Sequence, residues 1–166
     1  MDVKIIKSKK RRKTISAKEV DGVIQLSLPA HLSKEDEAKY VKWAKKRFES
    51  RRRKKELKEK NADLELEKLA RKLNDKYFSG ELSWNKIIYS TQQNGRMFGN
   101  CEVRDRIIRI SDRLLKMPKF VHDYVVVHEL AHLKVSGHNK KFWELVNRYE
   151  KTERARGYLM GVGMED

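Results

Sequence analysis

Thirteen residues, Asp123 to Val135 (DYVVVHELAHLKV), place two histidines and a glutamate inside the most apolar stretch of a chain in which 39% of residues are charged. Read as a helix, this stretch has Tyr124, Val125, Val126, Val127, Leu130, Ala131, Leu133 and Val135 around nearly its whole circumference, and a helix apolar on all sides is a buried one. A buried polar group without a partner costs roughly 1–3 kcal/mol. Something must therefore satisfy His128, Glu129 and His132. Residues four apart stand one above the other on a helix, so the imidazoles of His128 and His132 project from one side and can share a metal ion. In the His-Glu-x-x-His arrangement two histidines bind zinc and the glutamate serves as general base.

Catalytic zinc usually takes three protein ligands and leaves a fourth position for water. His138, six residues past His132, is the expected third ligand, the same interval as in the metzincin pattern, although that pattern has glycine where this chain has Val135. Gly137 is expected in the left-handed conformation that ends a helix, turning the chain back so that His138 meets the same ion. Glu144 and Glu150 are the alternative third ligands. No fourth protein ligand lies near the motif, which argues against a closed structural zinc.

Around this segment the pattern is mixed α and β. Alternating runs at Val3–Lys7, Lys13–Val20 and Val23–Leu28, the last two separated by Asp21-Gly22, predict strands with a hairpin. Ser33 and Asp36 form a capping-box signal for a helix with Tyr40, Val41, Ala44 and Phe48 on one face. Residues 49–60 are expected as an exposed helical extension or a flexible link, dividing a basic β-meander and charged helix (1–60) from a core (61–166). In the core, Leu66, Leu69, Ala70, Leu73 and Tyr77 mark a helix stopped by Gly80. Strands follow at about Lys86–Ser90, Met97–Val103 and Arg106–Ile110. Ser111 caps a short helix before Pro118, a long helix spans Lys119 to about Val135, and another begins near Asn139.

The formal net charge is +16, and its distribution is uneven: residues 1–60 hold 21 Lys and Arg against 9 Asp and Glu, leaving 19 against 15 for the rest. Runs such as KSKKRRK (Lys7–Lys13) and RRRKK (Arg51–Lys55) suit either a solvated face or a nucleic-acid partner. No stretch has the length and apolarity of a membrane span or signal peptide, so a soluble, cytoplasmic protein is expected. The single cysteine, Cys101, excludes an internal disulfide and is expected as a small buried residue.

DYVVVHELAHL (Asp123–Leu133), GHNKKFW (Gly137–Trp143), GNC (Gly99–Cys101) followed by IIRISDRLLKMP (Ile107–Pro118), and RARGYLMGV (Arg154–Val162) together resemble the YgjP-like metallopeptidases, relatives of the SprT-like and Wss-type zinc proteases. The likeness is good over residues 62–162 and looser in the N-terminal hairpin. It implies an α+β fold with a zincin-like core and a small antiparallel sheet. It also implies one zinc ion per chain on His128, His132 and His138, with Glu129 as the base. Where the family has Arg-Trp-Gly-Ser-Cys, this chain reads Met97-Phe98-Gly99-Asn100-Cys101, with Arg96 displaced by one position.

The expected activity is hydrolysis of peptide bonds in a peptide or protein substrate by a zinc-activated water, with Glu129 moving the proton. By resemblance to zincins, the strand at Arg106–Ile110 is expected to pair with the extended substrate. Tyr149, Arg154 and Tyr158 are the candidate oxyanion donors. Two alternatives stand beside this reading: hydrolysis of nucleotide phosphoanhydrides, and a protease recruited to nucleic acid by its basic N-terminal segment.

Overall fold

Asp21 and Gly22 both take positive φ, 51° and 76°, which is the geometry a two-residue hairpin turn requires and the reason Asp-Gly favours one. The computed structural model describes residues 2–91 and 97–162. The chain is α+β and divides into two compact units, Met1–Lys55 and Glu56–Asp166.

In the first unit the turn joins β2 (Ser16–Val20) to β3 (Val23–Pro29) in antiparallel register, Val20 opposite Val23. The remaining strand, β1 (Val3–Ser8), lies on the other side of β3 and runs parallel to it. The sheet is therefore mixed, in the order β1-β3-β2, and not the expected meander. Ile24, Leu26 and Leu28 alternate along β3 and are fully buried, packed with Ala44 and Phe48 of α1 (Lys34–Glu59). Ser33 starts that helix: its Oγ accepts the Asp36 N–H at 3.1 Å and donates to the Asp36 carboxylate at 2.9 Å. Residues 49–59 continue as helix, with most of their Lys and Arg side chains exposed.

The second unit is built around one helix. After α2 (Ala62–Phe78) come β4 (Lys86–Ser90), β5 (Gly99–Glu102) and β6 (Ile107–Ser111), then a 3-10 turn at Asp112–Lys116. The chain closes with α3 (Lys119–His132), α4 (Lys140–Val146) and α5 (Thr152–Gly161). Ser79 and Gly80 stop α2 with left-handed backbones, and the Gly80 N–H reaches back to the Asn74 carbonyl at 3.1 Å, closing the helix end as glycine there allows.

The sheet runs β4-β6-β5, with β4 parallel and β5 antiparallel to β6, so it is mixed where an antiparallel one was expected. A parallel pair needs a long crossover, and which strands it joins is not written in local sequence. Through its sides, α3 touches α2, α4, α5, β5 and β6. Val121, Val126, Val127, Leu130 and Ala131 are consequently fully buried, as the all-round apolar pattern demands. No helix among the described residues is long and apolar enough to cross a membrane.

Candidate metal centre and cleft

From successive turns of α3, His128 and His132 bring their Nε2 atoms to 3.3 Å, and His138, from the loop beyond, brings its Nε2 to 3.0 Å from that of His128. One ligand nitrogen from each of the three lies within 4.8 Å of the others. How His138 arrives differs from the expectation. Positive φ among glycines of the described residues occurs at Gly22 and Gly80, not at Gly137. The helix instead ends at His132 and closes through bonds to the Ala131 carbonyl from the N–H groups of Lys134 and Val135. His132 Nδ1 then donates to the Val135 carbonyl at 3.1 Å, and the Trp143 indole N–H donates to the His138 carbonyl at 3.1 Å.

Helix α4 supplies the floor. Asn139 caps it, its side-chain oxygen accepting the Phe142 N–H at 3.1 Å, and the fully buried Phe142 ring lies 4.9, 4.4 and 4.7 Å from the rings of His128, His132 and His138. Trp143 stacks on His138 at 5.8 Å, and the Arg156 guanidinium covers the indole at 4.7 Å. Aromatic walls of this kind lock ring rotamers while excluding water.

This donor set fits a divalent transition metal. Burial, reinforced by His132, His138 and Arg156, holds His128 down to about 3, and burial also depresses His132, so both rings are neutral at physiological pH as ligation requires. The bond from His132 Nδ1 to Val135 fixes the tautomer that leaves Nε2 with its lone pair. Three imidazole nitrogens converging on one point are a common zinc set.

Glu129 is 5% exposed and opens into the same cleft. Burial alone pushes its carboxyl up to about 8, and a cation beside it acts in the opposite direction. The cleft has a volume of about 370 Å³ and runs along β5, with Phe98, Cys101, Val103 and Val125 among its apolar walls. Burial, with Glu129 and Glu102 nearby, pushes the half-buried Cys101 thiol up to about 12, so it lines the cleft as an uncharged group.

Several expected roles are reassigned. The strand expected to pair with substrate, now β6, is the middle strand with both edges occupied, whereas β5, which lies along the cleft, has one edge without a strand partner among the described residues. Tyr149 is 5% exposed and spends its hydroxyl on the Phe120 carbonyl at 3.1 Å. Arg154 covers the Phe120 ring at 4.5 Å and Tyr158 meets it edge-on at 6.1 Å. None of these three lines the cleft. Glu150 is held at the surface by Lys76 at 2.9 Å and the Tyr77 hydroxyl at 2.5 Å, and Glu144 is exposed outside the histidine cluster. Arg96 lies outside the described residues. What the sequence reading missed is the support: Phe142 and Trp143 stand in the GHNKKFW string, and Asn100 lines the cleft from GNC.

Comparison with known proteins points the same way. A family model described as YgjP-like, metallopeptidase domain, matches residues 10–159. The crystal structure of the metallopeptidase zymogen of Pyrococcus abyssi abylysin shares the fold with a TM-score of 0.50 and 20% identity, covering 58% of this chain and 93% of that one. No curated protein matches the chain.

Proposed function

The chain belongs to the YgjP-like metallopeptidase family, and on that premise we propose that it hydrolyses peptide bonds with one zinc ion held by His128, His132 and His138 and with Glu129 as general base. The observation that carries this reading is the convergence of three imidazole nitrogens beside one buried carboxylate at the floor of a cleft. Held there, the ion supplies Lewis acidity toward the attacking water and the scissile carbonyl. Glu129 accepts the proton of that water on its carboxylate and hands it to the departing amine nitrogen. Phe142 and Trp143 keep the rings in register, so that little reorganisation is needed during reaction. The edge of β5 that has no strand partner among the described residues offers backbone groups to an extended peptide laid along the cleft.

The lining supports peptide hydrolysis over the phosphoanhydride alternative. Among the described residues that line the cleft there is no Lys or Arg, so a triphosphate would enter without a side-chain cation to neutralise it.

Metal analysis and turnover test the proposal together. Glu129→Gln is expected to keep its metal and lose roughly 10²–10⁴-fold in hydrolysis of an unfolded protein, whereas His132→Ala loses both and chelation abolishes turnover. Absence of a stoichiometric divalent ion, full activity in Glu129→Gln, or faster turnover of nucleoside triphosphates than of protein would overturn it.

A second reading concerns the first unit, where Lys42, Lys45, Lys46, Arg47, Arg51 and Lys54 are exposed along α1. That surface supports recruitment of the peptidase to nucleic acid through phosphate contacts.

A further inference from the structure

Gly99 opens β5, a position where glycine weakens a strand because it brings no side chain to pack and loses the most chain entropy. Its backbone does not explain it, since the positive φ values among the described glycines belong to Gly22 and Gly80. Its surroundings do. A Cβ at this position would stand 2.6 Å from both Cγ and Cδ of Glu129, and closer still to Oε1.

Neither backbone can withdraw. Gly99 is in register opposite Ile110, and the preceding Phe98 carbonyl accepts the Ser111 N–H at 2.7 Å. Phe98 itself is 6% exposed beneath the Arg113 guanidinium, 5.0 Å from its ring. Opposite, Glu129 rides on the buried helix whose His128 and His132 flank it, so α3 cannot shift without moving the imidazoles. An added methyl group therefore displaces the Glu129 side chain by rotation, and leaves the strand and helix where they are.

We propose that Gly99 is a positioning residue for the general base: the missing side chain at the start of β5 is the space in which the Glu129 carboxylate is held. The inference rests on the reading of Glu129 as base and adds that the edge strand, through one absent methyl group, sets where that carboxylate stands. Close approach of a second group is a recognised reason for glycine within a strand, and a displacement of about 1 Å at a reacting group costs on the order of 100-fold in rate.

The experiment compares Gly99→Ala with the parent, both loaded with zinc, using an unfolded protein substrate. Gly157→Ala serves as control, because a Cβ at Gly157 meets nothing within 4 Å. The expected result is a fall of about 100-fold in kcat with KM within about threefold, an unchanged metal content, and a control that behaves as the parent. Retention of kcat in Gly99→Ala overturns the inference, as does a loss of metal or a large rise in KM alongside the loss of rate. Should Gly99→Ala not fold, the same substitution is made in Glu129→Ala. Recovery of a cooperative melt supports the contact, and continued failure overturns it. Failure of the parent reading looks different: Glu129→Gln would then be as active as the unaltered chain.

Discussion

At the residue scale the second unit separates two kinds of histidine. His128, His132 and His138 converge on one another, and three at helical and near-helical spacing were legible in the sequence because ligand geometry is local. His122, one and a half turns earlier on α3, has a different partner: its Nε2 lies 2.8 Å from the Tyr89 hydroxyl, with the rings stacked at 5.9 Å. Burial lowers its pKa, outweighing the opposing influence of Asp123. The folded protein thus binds fewer protons at this site than the unfolded chain, and stability must rise with pH across the interval. As pH falls below about 6.5, the ordinary imidazole value, stability is lost. Thermal melts between about pH 7 and 5 should show a shallower decline for His122→Gln than for the parent. The pairing with Tyr89 was not readable, since 33 residues separate the two in sequence.

At the scale of elements, local signals held where the interaction they encode is local. Asp21-Gly22, Ser33 with Asp36, and Gly80 all do in the structure what their chemistry predicts, because turn and cap preferences depend on a few neighbouring dihedrals. Gly137 is the counterexample: its neighbourhood is open, with nothing within 4 Å of a Cβ there, and the turn is made by carbonyl acceptors and Trp143 instead. Long-range bonds fix other elements just as firmly. Asn74 is 5% exposed in α2, and its side-chain amide donates to the Leu82 carbonyl at 3.0 Å and accepts the Leu82 N–H at 3.2 Å. This joins the end of α2 to the segment leading into β4. Asn74→Ala leaves two buried backbone groups without partners, each worth roughly 1–3 kcal/mol. Chemical denaturation should show a loss on the order of 3 kcal/mol with the denaturant slope unchanged.

Across the whole molecule the dominant quantity is charge, +16 in total and concentrated in the first 60 residues. If the exposed cations of α1 serve phosphate binding, affinity for a DNA fragment falls steeply with added salt, by roughly 10³–10⁵ between 50 and 200 mM for 6–10 phosphate contacts. Charge reversal at Lys45, Lys46 and Arg47 weakens it further; affinity indifferent to salt and to these reversals refutes the interface. The amino-acid sequence by itself determined the buried helix with His128, Glu129 and His132, and the approach of His138 from just beyond its end, because helical periodicity and ligand spacing are set within a few turns of chain. It determined the basic surplus too, which is composition. Only the tertiary structure decided that β6 is the inner strand and β5 the one beside the cleft, that Tyr149 is spent on Phe120, and that Gly99 abuts Glu129. Those facts depend on which distant segments pair and pack, and pairing across a sheet is chosen by the burial of the whole core.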